Sequence, residues 1–156
     1  MGKFTDDPSR LISKHDVGLI QLEDAIRLFL EKRYLSAITL AGAADAIFCG
    51  LIEASGGKAP ADATWMEIEH VRSLGFPLGG TITKKEAFKQ WNDTRNRLKH
   101  HNIEKDDSIL EIFEIDEAYN WIERARYSAK ILDIEPCNIF DFDSRVISWF
   151  FLGGED

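Results

Sequence analysis

The sequence predicts an all-α protein, an up-and-down bundle of four to five helices. Apolar residues recur at steps of three and four along several long segments, the spacing that gives a helix one buried face. Hydrophobic residues make up 44% and charged residues 29% of the chain, which is the range of a globular domain rather than a disordered one. Only 4 prolines and 11 glycines interrupt the 156 residues, so long helices are not broken up by composition. At this length the whole chain, 1–156, reads as one domain with enough residues to enclose a core.

The first amphipathic helix is expected over Asp16–Lys32, where Leu19, Leu22, Ile26, Phe29 and Leu30 fall on one face; Pro8 and Ser9 could open an earlier turn leading into it. Tyr34–Ser55 is apolar nearly all round, with Ala37, Leu40, Ala44, Ile47 and Leu51 as its main stripe. Such a helix belongs in the middle of a bundle. It approaches the minimum length of a membrane span, but Asp45 lies inside it and Ala and Gly dilute it, so no membrane partner is expected. Gly42 and Gly50 reduce helix propensity there and allow neighbours to come close. Gly56-Gly57 ends the helix. A short third helix is expected over Asp62–Ser73, capped by Asp62 or Thr64.

Thr83 and Glu86 form a Thr-x-x-Glu capping box, and one helix is expected from there to about His101, with Phe88, Trp91 and Leu98 on its buried face. Ser108–Ile115 is β-compatible and short: either a small strand or an extended connector. Asp116 then caps a helix to about Asp133, with Ala118, Trp121, Ile122, Ala125, Ala129 and Leu132 inward. The tail, 136–156, is rich in aromatic residues. It is expected to pack over the bundle or to form a dimer interface, since exposed aromatic clusters seldom go unused.

Charge and cysteine usage narrow the function. The net charge of −8 opposes non-specific binding along a nucleic-acid backbone, which needs many Lys and Arg contacts. The charge is uneven, however. Between Lys84 and Lys105 seven basic residues meet three acidic ones, while the rest of the chain carries 12 basic against 24 acidic. A basic patch on an acidic body can receive a phosphate, although a solvated helix face would look the same. The N-terminus, Met1-Gly2-Lys3-Phe4-Thr5-Asp6, has neither a secretory pattern nor a myristoylation motif. Cys49 and Cys137 lie in apolar surroundings and read as reduced core residues, so a cytoplasmic location is expected. No phosphate-cradling glycine loop, dinucleotide fingerprint, hydrolase triad motif or His/Cys ligand spacing is present. No cofactor or metal is implied. Glu67, Glu69 and His70 could share a face, as a solvated surface more readily than as ligands, and Asp141 and Asp143 read as solvent-facing.

The chemistry concentrates in Arg95-Asn96-Arg97-Leu98-Lys99-His100-His101. On a regular helix Arg95, Asn96, Lys99 and His100 span an arc of about 140°. Arg95 borders the apolar stripe, so its stem can pack while its head stays at the rim. A guanidinium grips phosphate oxygens through paired hydrogen bonds. A histidine transfers protons near neutral pH, and an amide can orient either partner. Together they suit metal-free cleavage of a phosphodiester, with His taking the proton of an RNA 2′-hydroxyl and Arg stabilising phosphate charge. Asp45 is a lone acid on an apolar helix and needs a partner; Arg95 or another cation would serve.

Arg95-Asn96-x-x-x-His100 resembles the Arg-polar-x-x-x-His signature of the HEPN superfamily (higher eukaryotes and prokaryotes nucleotide-binding domain). The resemblance covers this motif and the helical layout from about Arg10 to Leu132. It implies a HEPN-like bundle, a homodimer, and a metal-independent ribonuclease site of Arg95, Asn96 and His100 at a dimer cleft, with Asp45, Lys99 and His101 in support. His101 also fits the family spacing, so either histidine can be the functional one. Toxins paired with antitoxin proteins occur in that family, as do members that have lost activity. An antitoxin or other protein partner, RNA, or a nucleotide are therefore the partners it implies, and a non-catalytic binding module is the alternative. Leu22-Glu23-x-Ala25-Ile26-Arg27-Leu28-Phe29, Thr39-Leu40-Ala41-Gly42-Ala43-Ala44 and Asn96-x-x-Lys99-His100 also resemble a family of short uncharacterised bacterial proteins, which implies the fold and no assigned activity.

Overall fold

The computed structural model describes residues 9–100 and 108–153. Among these residues the chain is all-helical: α1 (Lys14–Leu30), α2 (Tyr34–Ala54), α3 (Pro60–Ser73), α4 (Lys84–Trp91), α5 (Asp93–Lys99), α6 (Glu114–Ile131) and α7 (Ile139–Leu152). The all-α bundle is as expected. The helix count rises from four or five to seven for two physical reasons. The helix expected over 83–101 breaks at Asn92, and the aromatic tail folds into a helix of its own, α7.

The core is built around α2, which packs against both α1 and α6. Leu22, Ala25, Ile26 and Phe29 of α1 meet Ala37, Ile38, Ala41 and Phe48 of α2 and Ala118, Ile122, Ala125 and Ala129 of α6, all buried. The small residues allow close helix approach, as between α1 and α2, where a Cβ at Gly18 would lie 2.5 Å from the Phe48 ring. α2 is long and apolar enough to cross a membrane. Here its apolar surface faces neighbouring helices, and nine of its residues are buried.

Local chemistry sets the helix ends. Ser13 opens α1, and its hydroxyl accepts the Asp16 N–H at 3.0 Å; of the earlier turn expected at Pro8 and Ser9, Ser9 is not helical and Pro8 lies outside the described residues. α1 stops two residues early because Lys32 adopts φ 62°, and the Arg33 N–H turns back to Leu28 O, a left-handed helix stop. Pro60 opens α3 ahead of the expected Asp62 and Thr64 caps, as suits a residue with fixed φ and no N–H. The Thr83–Glu86 capping box forms in full. Residues 108–113 are a connector without regular structure, and no strand occurs among the described residues. α6 begins at Glu114 with Phe113 as its N-cap, so Asp116 lies in the first turn, where its charge favours the helix N-terminus.

α7 packs on α1. Its buried side carries Phe142, whose ring meets Phe29 edge-on at 5.2 Å and stacks on Tyr119 at 6.1 Å. Asp143 is not simply solvent-facing as expected: it makes a two-pronged ion pair with Arg126 of α6 at 2.7 and 3.0 Å. Cys137 is exposed rather than in the core. It lies at the entry to α7, where its N–H donates to Glu23 of α1.

Candidate functional site

The break between α4 and α5 decides where the candidate residues lie. Asn92 has φ −110° and ψ 2°, caps both helices, and donates its side-chain amide to Phe88 O at 2.7 Å. This bond from side chain to backbone competes with a continuous helix. Arg124 of α6 completes the junction by donating to Trp91 O at 3.1 Å and to Asn92 Oδ1 at 3.3 Å. α5 is thereby held as a separate short helix lying on α2.

Arg95 occupies the inner edge of α5. Its stem crosses α2 at Gly42, where a Cβ would stand 2.5 Å from Arg95 Cδ and 2.6 Å from Nε. Its guanidinium carbon lies 5.8 Å from the centre of the Trp121 ring, within range of a cation–π attraction. The expected packing of the stem is observed. Gly50, by contrast, has open space beside it, so of the two α2 glycines only Gly42 admits a close neighbour.

Asp45 does not pair with Arg95. It is buried, and its partners come from α6: Ser128 donates to Oδ1 at 2.8 Å, and Arg124 Nε lies 3.3 Å from Oδ2. Cys49 lies one turn along, 3.6 Å from Asp45 Oδ1. Burial, and then the Asp45 charge, pushes its thiol up to about 11, so it is a poor nucleophile at neutral pH. Because Arg124 neutralises Asp45, the Arg95 charge is left without a carboxylate partner among the described residues.

Asn96 and Lys99 are exposed on α5, and Arg97 turns outward to Asp93 at 3.8 Å. His100 is exposed and ends the helix. Its N–H still donates to Asn96 O at 3.0 Å, but φ −130° and ψ 138° are extended rather than helical. The shared helical arc therefore holds for Arg95, Asn96 and Lys99 and not for His100, whose direction follows the extended backbone. His101 lies outside the described residues.

Two surface hollows flank α6. One, between α3 and α6, is lined in part by Thr64, Glu67, Trp91, Asn120 and Arg124; the other, at the end of α6, by Arg126, Tyr127, Lys130 and Pro136. Neither is lined by Arg95, Asn96 or His100. Asn96 and His100 are exposed and Arg95 half-buried, outside both hollows. No group of His, Cys, Asp and Glu residues able to hold a metal occurs among the described residues.

Arg124 and Ser128 are site-supporting residues that the helical pattern concealed. With Trp121, which was expected inward, they fall within an arc of about 60° on α6, beside the stripe made by Ala118, Ile122 and Ala125. Two polar residues bordering an apolar stripe on its Trp121 side were the available signal for a buried polar partner of Asp45.

The fold and rim together define an all-α bundle carrying a short cationic helix with a histidine at its end. No family model, curated protein or solved structure matches the chain.

Proposed function

We propose that the α5 rim binds an RNA phosphate and that the protein is a HEPN-like, metal-independent endoribonuclease working in the cytoplasm. The observation that carries this is Arg95: a half-buried guanidinium over Trp121, with no carboxylate partner among the described residues. Asp45 is committed to Arg124. Among the described residues Arg95 is thus a positive charge with no carboxylate against it, the kind of group needed to hold a phosphate and to stabilise charge building on it.

In this scheme His100, or His101 at the longer spacing, accepts the proton of the 2′-hydroxyl as its oxygen attacks phosphorus. The bond from phosphorus to the 5′-oxygen breaks, and that oxygen leaves with a proton from water. Asn96 orients the ribose or the imidazole, and Lys99 adds positive charge along the strand. The HEPN resemblance adds a homodimer whose copies share the cleft. The chemistry itself requires only that Arg95 and a histidine reach one phosphate, from one chain or from two.

The exposed aromatic residues of α7 favour a second role, binding of a protein such as an antitoxin. A non-catalytic module would use the same surfaces without the proton transfer. The two are separated by incubating a mixed RNA pool, in EDTA, with wild type, Arg95→Ala and His100→Ala. Cleavage by the wild type that Arg95→Ala abolishes, with circular dichroism unchanged, supports the ribonuclease. RNA binding without cleavage leaves the binding module.

A further inference from the structure

Building on the reading of the α5 rim as a phosphate site, we infer that the hollow between α3 and α6 takes the base of the nucleotide whose 3′-phosphate lies at Arg95, and that it prefers guanine. Two helix faces of matching register form the hollow. Pro60, Thr64 and Glu67 of α3 line one side, and Asn120, Arg124 and Tyr127 of α6 the other. Each set falls within an arc of about 60° on its helix. Trp91, at the end of α4, lines the hollow as well. Asp62 of α3 meets Lys84 of α4 at 2.6 Å, which ties α3 to the element that carries Trp91. The volume, about 640 Å³, falls within the roughly 300–1,000 Å³ of small-molecule sites.

The lining matches a flat, neutral, polar ligand. It carries both signs of charge, in Glu67 and Arg124, so neither a free anion nor a simple cation is selected. Glu123 is also present but is held by Arg126 at 3.2 Å. Glu67 and Asn120 are exposed and make no side-chain hydrogen bond or ion pair with another described residue, so their polar atoms are available to a ligand. Arg124 faces Asp45 with Nε and donates to Trp91 O and Asn92 Oδ1, and a guanidinium still has donors to spare. Trp91 and Tyr127 supply the rings on which bases stack. Guanine completes this set. Its N1–H and N2–H lie side by side, as one carboxylate accepts them, and its O6 and N7 accept from an arginine. Adenine, cytosine and uracil lack that adjacent pair of donors.

One ring joins the hollow to the rim. Arg95 and Arg124 lie 5.8 and 4.3 Å from the centre of Trp121, both within cation–π range, so their guanidinium carbons are at most about 10 Å apart. Each reaches its ligand across a hydrogen bond of about 3 Å, and one nucleotide spans the rest from phosphate to base. The base read in this way lies on the 5′ side of the bond that the proposed reaction breaks.

The test follows the Trp91 indole and Asn120 side-chain amide signals by NMR, in EDTA, as single nucleosides and guanosine 3′-monophosphate are added to wild type, Glu67→Gln, Tyr127→Ala and Arg95→Ala. Glu67 is exposed and Tyr127 is 60% exposed, so their variants keep the fold. The expected result is a saturable shift with guanosine. Inosine, which lacks the N2 amine, should bind about tenfold more weakly, and adenosine, cytidine and uridine more weakly still. Glu67→Gln should no longer separate guanosine from inosine, and Tyr127→Ala should bind guanosine about tenfold more weakly. The 3′-phosphate should tighten binding about tenfold in the wild type, a gain that Arg95→Ala abolishes. Equal binding of all the nucleosides, no shift with any, or selectivity that Glu67→Gln leaves intact overturns the inference. So does a 3′-phosphate that adds nothing, or that adds as much in Arg95→Ala. None of these readings involves turnover. Cleavage of RNA by a protein indifferent to guanine therefore leaves the ribonuclease standing without this selectivity, whereas guanine binding without cleavage removes the ribonuclease alone.

Discussion

Asp45 and Arg95 show how a charge is fixed inside an apolar bundle by what lies beside it. The lone acid on α2 was legible as a residue needing a partner. Its partner was not, because Arg124 is 79 residues away and only the register of α6 on α2 brings them together. Asp45→Asn should leave the Arg124 guanidinium uncompensated in a largely buried setting and lower stability by about 3 kcal/mol, read from urea unfolding. Arg95→Ala should cost less than about 1 kcal/mol, since it removes only stem packing and one cation–π contact. Site and fold are separable in this way. Gly42→Ala offers a subtler test: its new methyl group would occupy the path of Arg95 Cδ and Nε, while alanine itself favours the helix by about 1 kcal/mol. RNA affinity should fall toward that of Arg95→Ala while the unfolding midpoint stays near or above wild type. Unchanged RNA affinity would show that Arg95 does not need this seat.

At the scale of the element, the long helices were legible because their apolar period is unbroken over four or more turns. α5 was not. Phe88, Trp91 and Leu98 keep helical spacing across Asn92, so periodicity alone predicts one helix. The break comes from a side-chain hydrogen bond and from Arg124, neither of which periodicity records. α7 was hidden for another reason: aromatic residues occupy both its packed and outer faces, and its polar residues Asp141, Ser144, Arg145 and Ser148 are confined to an arc of about 100° between them. The capping box of α4 was fully legible, since Thr83 and Glu86 are local. The Thr83 backbone N–H, and then its hydroxyl, hold the Glu86 carboxyl below its ordinary range. A lowered folded-state value contributes stability above the ordinary carboxylate range, and that contribution is lost as pH falls through the lowered value. Thr83→Ala should cost about 1 kcal/mol and speed amide exchange in α4 at neutral pH. Below the lowered value, where Glu86 is protonated in both proteins, the difference should narrow. A gap as wide in acid as at neutral pH would show that the carboxylate plays no part in the box.

For the whole molecule, α2 forms the axis, α6 relays between the two sides of the bundle, and the surfaces with unsatisfied chemistry are the α5 rim and the outer face of α7. The class of the fold was legible from composition and period. The arrangement of the site depends on contacts between residues distant in sequence, so the residues of the motif could be named but not their seats. The uneven charge fits this division: basic residues gather on α4 and α5, while the rest of the chain is acidic overall and steers other anions away. RNA binding confined to so small a patch should depend only weakly on salt, with a slope matching two or three phosphate contacts rather than a long track. The most direct measurement uses an RNA-length oligonucleotide that is 2′-deoxy throughout except at one ribose, incubated in EDTA. A single cut on the 3′ side of that ribose, leaving a 2′,3′-cyclic phosphate and lost in Arg95→Ala, is the predicted result. No cut, a cut in the all-deoxy strand, or full cleavage by Arg95→Ala would contradict a phosphate-gripping ribonuclease site on α5.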